Sequence, residues 1–329
     1  MNKKKSLTTD KTVINTLVSV VIPTYNRPLE LDRAIKSVLA QTWHTFEIIV
    51  VDDASEIDVK SVCDSFNDVR IRYFRNSVHK NANVARNKGI QEAQGTYVAM
   101  LDSDDEFLAD HLDRRLEMIK EWDCDGIFGS AYVEYGTHKD LALSRPLRAG
   151  ERMINYLLSD GFAPTPSHLY KREAALAVMW DETMDRHQDF DFTLRFSERF
   201  SFRCDIEPTV LVNWKAGGKR NIKYDSCIRF IDRHKDEILP RIYNFYHRSM
   251  YSHIQSNEVV DKKIERHYAV NSYKYIYAVP FSEFLFVHKT RRFFYGFLFV
   301  KFVLLHILFF IKILFVKSAF RDVSGGGRY

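Results

Sequence analysis

Three short, unbroken apolar runs constrain this chain most: Leu17-Val18-Ser19-Val20-Val21-Ile22, Phe46-Glu47-Ile48-Ile49-Val50-Val51 and Thr96-Tyr97-Val98-Ala99-Met100-Leu101. Runs of this kind read as strands covered on both faces. Between the first two, Leu31, Ala34, Ile35, Val38 and Leu39 repeat at helical spacing over residues 29–41. Residues 56–67 read as a helix, 69–74 as a third strand, and 82–94 as a helix ending near Gly95. Strand and helix alternate without a break, which predicts an α/β fold with a mainly parallel sheet. Ligands of such sheets bind beyond the carboxyl ends of the strands. Three polar segments fall there: Pro23-Thr24-Tyr25-Asn26-Arg27, Asp52-Asp53-Ala54-Ser55 and Asp102-Ser103-Asp104-Asp105.

The third segment places three carboxylates directly after an apolar strand. Like charges this close repel, and a divalent cation with oxygen ligands relieves the repulsion. A helix N-terminus capped by Asp104 or Asp105, with the helix running on from Phe107, is the plainer alternative. It accounts for one acid or two. The coincidence of three polar strand ends favours one shared site with a metal in it.

Several classes are excluded. No G-x-G-x-x-G follows the first strand and no G-x-x-x-x-G-K-[ST] occurs, against a nicotinamide oxidoreductase or a P-loop NTPase. A formal net charge of +5 is too mild to imply nucleic acid, and no basic stripe with interleaved aromatics crosses the first two-thirds of the chain. Cys63, Cys124, Cys204 and Cys227 form no CxxC pair and read as reduced thiols of a cytosolic protein. The basic start Lys3-Lys4-Lys5 has no apolar stretch behind it, so residues 1–16 read as a loose tail rather than a secretory signal.

Taken together, Val20-Val21-Ile22-Pro23-Thr24-Tyr25-Asn26-Arg27, Val50-Val51-Asp52-Asp53-Ala54-Ser55, Ala85-Arg86-Asn87-Lys88-Gly89 and Leu101-Asp102-Ser103-Asp104-Asp105 resemble the motifs of the family 2 glycosyltransferases, in order and spacing, over roughly residues 17–215. The resemblance implies a GT-A fold, with a Rossmann-like, mainly parallel sheet flanked by helices and here a C-terminal helical extension. It also implies inverting transfer from a nucleotide-sugar, with UDP the expected nucleotide. By the same resemblance, Pro23, Thr24, Tyr25, Asn26 and Arg27 line a uridine pocket, Asp53 accepts from the uracil N3–H, and Arg86 faces the anionic nucleotide from a helix start. Asp102, Ser103 and Asp104 match the family's metal motif and Asp105 extends it. Mn²⁺ or Mg²⁺ is then expected on Asp104 or Asp105, with Asp102 reaching the ribose or the metal's waters. A nucleotidyltransferase would carry a Gly-rich basic loop after its first strand, absent here. A catalytically inactive nucleotide-binding scaffold of the same fold is the remaining alternative.

An inverting transfer needs a base for the acceptor hydroxyl. Arg186-His187-Gln188-Asp189-Phe190-Asp191 resembles the family's Glu-Asp region, which implies Asp189 as the base. Gln188 stands where most members have Glu, removing a neighbouring charge. Asp191 is the competitor, and on a helix the two face about 160° apart, so only one can point into the site. A helix over 190–200 offers both a plain first-turn role as well. His187 is a weaker candidate. The 161–168 loop reads as an acceptor-side wall or a connector. The Gly217-Gly218 stretch, with Lys219 and Arg220, reads as a diphosphate-closing loop or a domain junction.

The expected organisation is therefore a tail over 1–16, the transferase domain over 17–220, helices over 221–285, and a hydrophobic, basic tail over 286–329. Residues 293–316 as a helix would span about 36 Å, enough to cross a bilayer core. Lys301 and Lys312 fall about 20° apart on the wheel, which favours a helix lying in the interface. Lys289, Arg291, Arg292, Lys317 and Arg321 suit an anionic inner leaflet. The expected partners are thus a nucleotide-sugar, a glycan or polyprenyl-diphosphate-linked acceptor, and the cytoplasmic membrane surface through residues 286–321.

Overall fold

The computed structural model describes residues 16–214, 222–256, 261–272 and 274–275. In chain order the elements are β1 (Val18–Thr24), α1 (Pro28–Leu39), β2 (Phe46–Asp52), α2 (Lys60–Ser65), β3 (Ile71–Arg75), α3 (Ala82–Glu92) and β4 (Tyr97–Met100). Then come β5 (Glu106–Phe107), α4 (His111–Glu121), β6 (Gly126–Gly129), β7 (Ala131–Tyr135), β8 (His138–Ala142), α5 (Met153–Leu157), β9 (Leu169–Lys171) and α6 (Arg172–Val178). The last are α7 (Gln188–Ser197), β10 (Phe202–Asp205), β11 (Val210–Asn213), α8 (Tyr224–His234), α9 (Pro240–Ser256) and α10 (Lys262–Asn271).

The main sheet has the order β10-β6-β9-β4-β1-β2-β3. All its pairings are parallel except those of β9, which runs antiparallel to both β4 and β6. β1 and β2 are buried throughout. Val18, Val20 and Ile22 pack into one apolar cluster with Ile48 and Val50, while Val21 joins Ile49, Val51 and Met100 in another. Both faces of the sheet are thus covered, as the unbroken apolar runs predict. Ser19, a polar residue in the middle of β1, is satisfied by donating to Glu47 Oε1 at 2.6 Å.

β1 runs through Pro23 to Thr24, two residues past the apolar run that ends at Ile22. Leu101 N donates to Val21 O, so odd-numbered residues of β1 face β4. The β1–β4 register ends at Val21–Met100. Pro23 therefore lacks its N–H on the side where β4 has already stopped, and no ladder bond is lost. α2 is also shorter than expected, because only Lys60–Ser65 close into a helix.

The capping alternative for the acidic cluster fails. Glu106 and Phe107 are strand β5, and α4 starts only at His111 behind Asp110. β5 belongs to a second sheet, β5-β11-β7-β8, which the sequence reading did not anticipate. In the 161–168 loop Ala163 and residues 165–168 are buried, while Gly161, Phe162 and Pro164 are partly exposed. Its Ser167 and His168 are inaccessible, and Gly129 N donates to Ser167 Oγ.

The chain divides into two compact units, 1–237 and 238–329. α8 is bound into the first unit: Ser226 Oγ accepts from Arg186 N at 3.1 Å, and Phe230 packs on His187. In the second unit α9 and α10 meet through Tyr243, Tyr246, His247 and Tyr268, with Tyr243 Oη donating to Asn271 Oδ1 at 2.9 Å. Among the described residues no helix is long and apolar enough to cross a membrane. The expected membrane segment at 293–316, and Lys219 and Arg220, lie outside the described residues.

Candidate functional site

The sheet reverses its strand order at β1, with β2 and β3 on one side and β4 on the other. A crevice at that switch point is where open α/β sheets bind ligands. A cavity of about 290 Å³ opens there, lined by Pro23 and Thr24 at the end of β1, Tyr25 and Arg27 after it, and Asp53 after β2. His79, Ala82, Ala85 and Arg86 line it from the β3–α3 loop and α3, and Asp102, Ser103 and Asp104 from the turn after β4. The structure thus brings together nearly all the residues expected to hold the nucleotide.

Arg86 is the best-held of them. Its guanidinium donates to Asp102 Oδ1 at 2.6 Å and Asn83 Oδ1 at 3.2 Å, and lies over the Trp180 ring at 4.6 Å. It is 4% exposed, yet its Nε has no partner among the described residues. Thr24 Oγ1 is likewise buried without a partner. Both residues line the cavity, although these two atoms are themselves covered. α3 can sit close because residue 89 is glycine: a Cβ there would stand 2.3 Å from Val21 Cγ1 of β1.

The acidic turn divides its labour. Asp102 pairs with Arg86 and Asp104 with Arg27, each at 2.6 Å. Asp105 is buried and does not line the cavity; its Oδ1 accepts from Asn213 N of β11 at 2.8 Å. Asn213 Nδ2 also donates to Asp104 O at 2.7 Å, so β11 grips the turn from behind. Burial, reinforced by the charges of Asp102 and Asp104, pushes the Asp105 carboxyl well above the usual carboxylate range. Asp102 and Asp104 are the carboxylates of this turn that line the cavity. Among the described residues no three His, Cys, Asp or Glu side chains are placed to hold a metal by themselves. A pair of carboxylates does fit Mg²⁺ or Mn²⁺ shared with phosphate oxygens, a mode in which protein supplies only one or two ligands.

Asn26 does not line the cavity. It sits at φ 53°, a left-handed conformation that asparagine tolerates. Its Oδ1 accepts from Glu56 N at 2.7 Å and its N donates to Ser55 Oγ, tying the β1 loop to the β2 loop. Asp52 supports the same corner, accepting from Tyr73 Oη and Arg75 Nη1 at 2.6 Å. Asp53 is the member that faces the cavity.

Asp189 and Asp191 separate as helix geometry requires. Asp191 is 1% exposed and committed to arginines, Arg195 Nε at 2.8 Å and Arg233 Nη1 at 3.2 Å. Asp189 is half-buried at the start of α7, outside the cavity lining. Loss of water raises its pKa, opposed by the charges of Arg186 and Arg86. His187 is neutral at pH 7, its pKa lowered to about 3 by desolvation and then by Arg186. With φ 59° and its ring stacked on Phe190, it turns the chain into α7. Gln188 Oε1 is buried with no partner among the described residues.

Two features went unnoticed in the sequence. His79 stacks on Tyr25, ring centroids 3.9 Å apart, and holds Asp53 Oδ2 at 2.9 Å. Its place in the loop after a strand was the available signal. The second is a clamp from α3 to the segment before Asp189. Asn83 Nδ2 donates to Asp181 O and Met184 O, and Asn87 exchanges bonds with both the N–H and the carbonyl of Trp180. The helix carrying Arg86 thereby positions the segment leading to α7.

The family model described as Glycosyl transferase family 2 matches residues 19–178. The amylovoran biosynthesis glycosyltransferase AmsB of Erwinia amylovora is 29% identical over 231 residues, 67% of this chain and 73% of AmsB. WcaA of Escherichia coli K12, a glycosyl transferase named for colanic acid biosynthesis, is 40% identical over 242 residues, 68% of this chain and 83% of WcaA. A Campylobacter jejuni GalNAc(5)-diNAcBac-PP-undecaprenol β-1,3-glucosyltransferase is 39% identical over 120 residues, 36% of this chain and 38% of that protein. Among solved structures, S. aureus TarS residues 1–349 in complex with UDP superposes with a TM-score of 0.52 at 17% identity, covering 79% of this chain and 70% of that one. At that identity the likeness is one of fold, and it matches the GT-A expectation.

Proposed function

The chain belongs to glycosyl transferase family 2 and is a glycosyltransferase; from that premise we propose inverting transfer of a sugar from a UDP-sugar to a hydroxyl of a lipid-linked glycan, in surface polysaccharide assembly. The observation that carries the nucleotide-sugar reading is the cavity at the β1–β4 switch point, on which Asp53, Arg86, Asp102 and Asp104 converge. The polysaccharide setting comes from relatives named for amylovoran and colanic acid. The lipid-linked acceptor comes from one whose name specifies a PP-undecaprenol substrate.

In this reading Thr24, Tyr25 and Asp53 hold the base and Arg86 the negative charge of the nucleotide. Asp102 and Asp104 would hold Mg²⁺ or Mn²⁺, which when bound neutralises charge on the departing diphosphate. The acceptor oxygen bonds to the anomeric carbon as the bond from that carbon to the β-phosphate oxygen breaks. The electron pair leaves with the nucleoside diphosphate, and the hydroxyl proton passes to Asp189. Its raised pKa makes it a better proton acceptor than an ordinary carboxylate. Asp191, bound by two arginines, is not free for that task.

The proposed organisation keeps a hydrophobic, basic tail over residues 286–329 as the attachment to the cytoplasmic membrane face. The test of the reaction is a panel of UDP- and GDP-sugars with Mn²⁺, reading released nucleoside diphosphate. Turnover with a UDP-sugar is expected. Absence of turnover and of binding with every sugar nucleotide would overturn the reading.

A further inference from the structure

Asp189 is aimed by backbone. Its Oδ1 accepts from Phe190 N at 3.0 Å, so the carboxyl follows the first turn of α7. The chain enters that turn through His187, whose φ of 59° is left-handed. A residue other than glycine stays in that region where its surroundings over-determine it. Here the surroundings come from α8, which lies beyond the residues 19–178 that the family model matches.

Three residues of α8 make the contacts: Ser226, Phe230 and Arg233. Their spacing of four and then three puts them on one face of the helix. Ser226 is fully buried and holds both backbone groups of Arg186. Its Oγ accepts from Arg186 N and donates to Arg186 O, each at 3.1 Å. Phe230, also buried, sets its ring 5.4 Å from that of His187 and 6.3 Å from that of Phe190. Arg233 Nη1 donates to Asp191 Oδ1 at 3.2 Å and to Asp181 Oδ2 at 3.4 Å. One guanidinium thus bridges the two ends of the 181–191 segment, while Ser226 and Phe230 hold its middle. Asp181 O also accepts from Asn83 of α3, so the start of the segment is tied to the helix that carries Arg86.

We propose that Ser226 and Arg233 are positioning residues of the transfer reaction, which act through the 181–191 segment to fix where the Asp189 carboxyl stands. The inference rests on reading Asp189 as the base. Neither residue lines the donor cavity, whose walls come from residues between Pro23 and Asp104. Loss of either should therefore separate turnover from nucleotide affinity. A misplacement of about 1 Å at a reacting group costs about 10²-fold in rate.

The test compares the wild-type chain with Ser226→Ala, Arg233→Gln and Arg233→Lys. It measures the dissociation constant of UDP in the presence of Mn²⁺, and kcat for nucleoside diphosphate release from the UDP-sugar that the wild type turns over fastest. Thermal melts check folding; the Arg233 side chain is 48% exposed, so its variants should fold even if Ser226→Ala does not. Arg233→Gln and Ser226→Ala should lower kcat by about tenfold or more, with UDP affinity within about twofold of the wild type. Arg233→Lys should keep most of the turnover, because one ammonium can stand between the two carboxylates as Nη1 does. Unchanged kcat in a folded Arg233→Gln would overturn the inference and leave the proposed function intact. Loss of kcat and UDP affinity in step would also overturn it, since α8 would then support the whole unit and not the base. Arg233→Lys as damaging as Arg233→Gln would contradict the charge bridge. A wild type that neither binds UDP nor releases nucleoside diphosphate would overturn the proposed function and the inference with it.

Discussion

At the residue scale the account turns on two carboxylates with opposite fates. Asp189 keeps an unneutralised carboxylate partly out of water, whereas Asp191 is locked between Arg195 and Arg233. Asp189→Asn should abolish transfer by at least about 10²-fold, the scale of general-base catalysis. Because the folded-state pKa of Asp189 lies above its ordinary value, the chain binds that proton more tightly when folded. The stability this gives is present at acid pH and is lost as pH rises through the raised pKa. At neutral pH Asp189→Asn removes a desolvated charge, so its melting temperature should equal or exceed that of the wild type. Activity in turn should fall on acidification with a midpoint above the usual Asp range of about 3.9, read from a pH profile of kcat/KM. A midpoint at or below that range would count against Asp189 as the base. The role proposed for Asp189 comes from the resemblance, since one strand-free stretch with two acids does not say which of them pairs with arginine. The partners of Asp191 come from residues four and 42 positions away, and the second of these separations is invisible to any local pattern.

At the element scale, α3 does three jobs at once. It carries Arg86, lies tight on β1 through Gly89, and grips the Trp180–Met184 segment through Asn83 and Asn87. Gly89→Ala puts a methyl against the stiff, β-branched Val21, and overpacking of that kind costs about 1–3 kcal/mol. A lowered denaturation midpoint with an unchanged denaturant slope is the expected result. Asn87→Ala loosens the segment before Asp189, Trp180 included, while leaving the bonds of Arg86 to Asn83 and Asp102 in place. Turnover should fall more than nucleotide affinity does; an equal loss in both would point to general destabilisation. The strand–helix alternation through β4 was readable because each buried strand is mostly apolar, and the two polar side chains inside β1 and β2, Ser19 and Glu47, satisfy each other. The second sheet was not, because β5 spans two residues and β8 is mostly exposed and polar. Its existence changes the meaning of the acidic cluster: Asp105 and Glu106 lead into a strand, and Asp105 anchors β11 instead of facing the cavity.

At the scale of the whole molecule, all the described site residues lie in the first compact unit, which runs through α8 to Glu237. The proposed membrane tail lies beyond it in sequence. Removal of residues 286–329 should move the protein from the membrane pellet to the soluble fraction on cell fractionation. A truncated chain that still pellets would refute attachment through that segment.

The central claim is that one cavity binds the sugar nucleotide while a separate carboxylate takes the proton. Nucleoside diphosphate release from a panel of UDP-sugars, with UDP binding measured on the same wild-type and Asp189→Asn preparations, tests it most directly. The account predicts release by the wild type, and UDP affinity retained without release in the variant. Release by Asp189→Asn at the wild-type rate, or loss of UDP binding together with activity, would contradict it.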